Sequence, residues 1–182
     1  VLARQPARTP PSSLAFHSQQ APKARAAQRS LMPNFRPVLL VTGALVAVLG
    51  LAMLLPMAVD LAAADPEHRA DWTAFSTGAI FAVFVGGGMA AASWGPIETV
   101  SIRQGFLMTA SSWIALVTFA AVPLSLGGLN LSYTDAFFEA MSGITTTGST
   151  VVVGLDDAPP GALLWRSLLQ WIGGVGILIM AV

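Results

Sequence analysis

Four runs of apolar residues divide the chain, at about 37–61, 74–94, 105–126 and from Gly161 to the last residue, Val182. A helix needs roughly 20 apolar residues to cross the hydrocarbon core of a bilayer, so each run predicts a membrane-spanning helix. The first holds only apolar, Gly, Thr and Pro residues until Asp60. Trp72 and Trp94 mark the ends of the second as interfacial anchors, and Gly86, Gly87 and Gly88 predict close approach of a neighbouring helix. Gly127-Gly128 break the third. The fourth is still apolar at Val182, with no polar flank, so the sequence reads as cut off within or just after a helix.

Between the third and fourth runs lies a shorter amphipathic stretch, Tyr133 to Ser142. At 1.5 Å per residue it is roughly 15 Å long, about half the hydrocarbon thickness. It can enter a membrane but cannot cross it. Residues 1–35 are rich in Ala, Pro, Gln, Ser and Arg, show no periodicity, and read as a disordered tail. No apolar segment precedes Leu31, so the tail is not a signal peptide. Met32, just upstream of the first run, is the expected true start. The predicted fold is an all-α integral membrane protein. It has two transmembrane helices over 36–104 and then a helix–pore loop–helix unit over 105–182, truncated at its end.

Composition supports the membrane assignment. The chain is 54% hydrophobic and only 10% charged, against about 25% charged in a soluble domain. It has no cysteine, and its histidines, His17 and His68, are too far apart to form a metal cluster. Neither a hydrolytic motif nor a cofactor motif is present, and no enzyme activity is expected. Charge then orients the chain. Arg4, Arg8, Lys23, Arg25, Arg29 and Arg36 precede the first run without an acid among them, whereas Asp60, Asp65, Glu67 and Asp71 follow it against Arg69 alone. The positive-inside rule places the N-terminus in the cytoplasm and the acidic loop outside. A short loop with Glu98 and Arg103 returns on the cytoplasmic side. The basic tail lacks interleaved aromatics, so nucleic acid is not an expected partner.

The candidate chemistry sits after the short helix, in Ile144-Thr145-Thr146-Thr147-Gly148-Ser149-Thr150. Ser132 and Asp135 fit an N-terminal capping pattern, and Asp135 suits the positive end of the helix dipole. Gly143 is placed to end the helix in a left-handed conformation. The helix C-terminus, with its unpaired carbonyls, then stabilises a cation at membrane depth. Carbonyls facing one axis need backbone angles of alternating sign, which Gly148 makes cheap, and closely spaced carbonyls and hydroxyls can replace an ion's water. Without a carboxylate in the run, a monovalent ion is favoured, and potassium fits better than sodium. Read alone, the run is equally an exposed loop, but irregular backbone at lipid depth must line a pore or be buried in protein.

Two ionisable residues lie nearby. Charges at membrane depth are costly and normally paired, so Glu139 and Arg166 are expected to form an ion pair tying the short helix to the fourth. The alternative is that each snorkels to the interface. Gln170, one turn after Arg166, is expected to hydrogen-bond in the same place. Gly173, Gly174 and Gly176 read first as packing against a neighbouring helix, and second as a thinned wall facing the pore.

The segments TDAFFEAMSGITTTGSTVVVGLD and LLWRSLLQWIGGVGILIMAV resemble the membrane subunit of the Trk/Ktr potassium-uptake family, with weaker similarity back to about Met32. The resemblance implies four helix–pore loop–helix repeats around one potassium path in a bacterial plasma membrane, preceded by two extra helices. The first two segments then correspond to those extra helices, and residues 105–182 to the first repeat. Thr145, Thr146, Thr147 and Gly148 match the family's filter, holding K+ as substrate, with Glu139, Gly143, Arg166 and Gln170 as support. The resemblance also implies a homodimer, a cytosolic nucleotide-binding regulatory subunit, and three further repeats that this sequence lacks. Two other readings remain: a single-pore-loop cation channel that tetramerises, and a non-transporting membrane scaffold.

Overall fold

The computed structural model describes residues 35–63, 69–95 and 100–181. The expected disordered tail, the acids Asp65 and Glu67, and Glu98 lie outside the described residues. Six α-helices follow in order: α1 (Arg36–Ala52), α2 (Leu54–Ala63), α3 (Arg69–Ala92), α4 (Ile102–Leu126), α5 (Tyr133–Ile144) and α6 (Pro160–Ala181). One 3-10 turn, Leu155–Asp157, precedes α6. No strand occurs among the described residues. Arg36–Ala63, Trp72–Ala92 and Ile102–Leu126 are long and apolar enough to cross a membrane.

The first apolar run is a broken helix. Pro56 has no N–H to offer the Ala52 carbonyl and its ring crowds the preceding turn, which bends a helix. The break falls at Met53, which is fully buried. It redirects the chain, because α1 packs on α3 and α4 whereas α2 packs on α3 and α6. Asp60, expected in an exterior loop, lies instead in α2 and is buried.

Small residues set the α1–α3 spacing. A Cβ added at Gly86 would lie 2.6 Å from both the Ala47 nitrogen and the Gly43 carbonyl oxygen. Among the described residues nothing lies within 4 Å of a Cβ added at Gly87 or Gly88. Only the first of the three glycines therefore makes the close approach expected of all of them. Between α1 and α4 the buried hydroxyls of Thr42 and Ser112 are 3.0 Å apart, a polar contact inside an otherwise apolar seam.

Helix α4 begins three residues before the expected Gly105. Ser101 and Gln104 form a reciprocal capping box there: the Ser101 Oγ accepts the Gln104 N–H, and the Gln104 side chain accepts the Ser101 N–H. At the other side of the core, Trp165 of α6 is fully buried. Its Nε1–H donates to the Ala120 carbonyl at 3.0 Å, and the Phe75 ring meets it edge-on with centroids 6.1 Å apart. A buried indole needs such an acceptor, and this one fixes the depth of α6 against α4.

Candidate ion-coordinating site

The site is built on α5. Ser132 caps the helix: its Oγ accepts the Asp135 N–H at 3.2 Å and donates to Asp135 Oδ2 at 2.7 Å. Twelve residues make a helix of about 18 Å, and its buried face, including Ala136, Glu139, Ala140 and Gly143, lies against the core. The helix does not stop at Gly143. It runs on to Ile144, because Gly143 serves packing: a Cβ there would lie 3.1 Å from Leu169 Cβ on α6. Gly173 answers from the other side, where an added Cβ would overlap the Ile144 carbonyl oxygen. Among the described residues nothing lies within 4 Å of a Cβ added at Gly174 or Gly176, so of the three only Gly173 makes a close packing contact there.

The turn after α5 uses up the helix's last carbonyls. Thr145 N–H donates to Met141 O at 2.9 Å, Thr146 N–H to Gly143 O at 2.9 Å, and Thr147 and Gly148 N–H to Ser142 O at 3.0 and 3.4 Å. Three of the carbonyls expected to face an ion at the helix end, those of Met141, Ser142 and Gly143, are therefore occupied. Those of the turn are open: among the described residues no donor reaches the carbonyl oxygens of Thr145, Thr146, Thr147 or Gly148. All four residues are exposed. The run thus has every N–H bound inward and every carbonyl open.

Backbone handedness alternates along it. Thr146 has φ +56° and Gly148 φ +78°, while Thr145 has φ −80°. Glycine adopts this region freely, but for a β-branched residue it is strained. The strain is held by neighbours. Thr145 Oγ1 donates to Met141 O at 2.8 Å, which uses its only proton, so Thr147 Oγ1 is the donor in their 2.8 Å contact. Ser142 Oγ donates to Ser149 O at 2.6 Å.

Glu139 and Arg166 are brought together. Arg166 Nε donates to Glu139 Oε2 at 2.8 Å, with the Glu139 side chain fully buried and that of Arg166 12% exposed. Oε1 accepts the Val151 N–H at 2.5 Å. One carboxylate therefore ties α5 to α6 and also holds the segment leaving the turn, and its charge is paired with Arg166. Gln170 does not join them; it is exposed and takes no part in the pair.

Asp60 was missed as a member of this neighbourhood. Its Oδ1 accepts the Gly161 N–H at 2.6 Å, capping α6 from α2. A buried acid in an apolar run needs a cation or a helix N-terminus, and that signal was present in the first run without naming the partner. No group of His, Cys, Asp and Glu able to hold a metal occurs among the described residues.

A family model described as "TrkH: Cation transport protein" matches residues 72–182. The chain is 38% identical over 155 residues to the Trk system potassium uptake protein TrkI of Halomonas elongata, spanning 82% of this chain and 30% of that protein. It is 36% identical over 154 residues to the Trk system potassium uptake protein TrkH of Escherichia coli K12, with the same coverage. The crystal structure of the potassium transporter TrkH from Vibrio parahaemolyticus superposes with a TM-score of 0.75 at 35% identity, over 81% of this chain and 31% of that one. The chain thus spans about 30% of the length of the curated relatives it matches. With its helices, its short inserted helix and its matched residues in agreement, the chain belongs to the TrkH family of cation transport proteins.

Proposed function

We propose that this chain takes part in potassium uptake across a bacterial inner membrane, and that Thr145, Thr146, Thr147 and Gly148 line the ion path. One observation carries the reading: four consecutive residues whose N–H groups are all bound inward and whose carbonyls are all open. Along its backbone such a strip offers acceptors only, so it favours a cation over an anion. Neutral carbonyl dipoles replace the shell of a weakly hydrated monovalent ion better than that of a divalent one. The alternating handedness at Thr146 and Gly148 supports the same use. The Trk relatives are potassium uptake proteins by name, which supports potassium as the ion.

In this reading α1–α3 precede the first helix–pore loop–helix repeat, α4–α6, and the strip is one of four filter segments. The N-terminus is cytoplasmic. Three further repeats, a second copy of the protein and a cytosolic nucleotide-binding regulatory subunit complete the assembly; potassium is the substrate, and no cofactor is required. The native gene product should restore growth of a potassium-uptake-deficient bacterium at low potassium. Gly148→Val should abolish that rescue without reducing the inserted amount. Absence of rescue with the wild-type protein in the membrane would overturn the proposal.

A further inference from the structure

Among the described residues the buried acids are Glu139 and Asp60, 1% and 4% exposed. Both carboxylates accept a backbone N–H from the same stretch of chain. Glu139 holds Val151, three residues past the strip Thr145–Gly148, and Asp60 holds Gly161 where α6 begins. The ten-residue span between those two atoms is otherwise irregular, with Gly154 at φ +73° and one 3-10 turn. Its ends are therefore fixed by acids on two different helices.

The Asp60 contact is specific in shape as well as in hydrogen bonding. A Cβ added at Gly161 would overlap the Asp60 carboxyl group, so the carboxylate occupies the space a side chain would take. The flanking Pro159 and Ala162 are buried, and a negative group at a helix N-terminus is stabilised by the dipole. Arg166 follows Gly161 by little more than one turn of α6. Any shift in where α6 starts is thus passed to the Arg166–Glu139 pair, and through Glu139 to Val151.

We infer that Asp60 is a positioning residue for the ion path, acting on the strip from the bent first span through Gly161 and α6. This rests on the reading of Thr145–Gly148 as ion-lining. It predicts that loss of the Asp60–Gly161 contact alters ion affinity and discrimination, beyond any effect on the amount of protein.

The test uses the native gene product, with rubidium uptake measured per inserted molecule and sodium as competitor. Asp60→Asn keeps an oxygen acceptor and should leave KM within about twofold of wild type. The double variant Asp60→Ala with Gly161→Ala refills the space but removes the acceptor. It should raise KM about fivefold or more and admit more sodium. Gly161→Ala alone, which forces the carboxylate off the N–H, should do the same if the double variant fails to insert. Wild-type KM and discrimination in the inserted acceptor-less variant would overturn the inference.

A second readout separates this inference from the transport reading. Spin labels on Cys introduced at Val153 and Thr134, both exposed, report the position of the span in purified protein. A distance distribution that shifts or broadens in the double variant supports the positioning role even if wild type transports nothing. An unchanged distribution would overturn it whatever the uptake data show.

Discussion

Replacing Glu139 by Leu removes two contacts at once, and their separate sizes follow from their surroundings. Arg166, whose side chain is 12% exposed, would be left without its acid; breaking one side of a buried pair costs about 3–5 kcal/mol. Val151 would lose a charged acceptor, but it lies at an exposed position where water can replace the bond, so that loss is about 1 kcal/mol, below the 1.5–3 of a sealed one. Arg166→Met strands the fully buried Glu139 carboxylate with Val151 alone, again about 3–5 kcal/mol. The double variant exchanges the pair for apolar side chains, which is often near neutral, and should retain only the Val151 deficit of about 1 kcal/mol. The expected order of stability is wild type, double variant, Arg166→Met, Glu139→Leu. Unfolding in mixed micelles titrated with SDS measures it, and the cycle should give a coupling of about 6 kcal/mol or more on these figures. Single effects that add to the double within about 0.5 kcal/mol would refute the argument.

Other outcomes follow from neighbouring contacts. Gly173→Ala should be strongly destabilising, by about 3 kcal/mol or more, because its Cβ would meet the Ile144 carbonyl. Gly176→Ala in the same helix has open space and should gain about 0.5–1 kcal/mol from helix propensity; apparent Tm of the purified protein distinguishes the two. Thr146→Gly removes a β-branched residue from the left-handed region and should keep or raise Tm by an amount worth about 1 kcal/mol, whereas Thr146→Pro should not fold the turn. Ser142→Ala deletes the 2.6 Å bond to the Ser149 carbonyl, costs about 1 kcal/mol, and should broaden ion discrimination in competition uptake assays at normal inserted amounts.

The helices were legible because hydropathy is a property of contiguous residues, and the length of Tyr133–Ser142 marked it as a helix shorter than its neighbours. The Glu139–Arg166 pair was legible because two charges in an apolar setting must find each other, and few candidates existed. What escaped the sequence depends on distant backbone. Gly143 carries the local mark of a helix end, yet Leu169 of α6 claims the space and the helix continues. Thr146 carries no mark of left-handed geometry at all; the Met141, Ser142 and Gly143 carbonyls impose it. Gln170, one turn from Arg166 by number, points outward because Leu169 and Gly173 take the face toward α5. Asp60 looked like the start of a polar loop because its partner is 101 residues away.

That separation of 101 residues has a consequence in time. A ribosome adds about 5–20 residues per second, so Gly161 is synthesised about 5–20 s after Asp60. During that interval the first span can enter the bilayer, but the N–H that receives its carboxylate does not yet exist. A charged group is costly at membrane depth, so the nascent span should first sit with Asp60 at the water interface. It would settle to its final depth only when α6 arrives, which makes α6 the helix that completes the insertion of the first span.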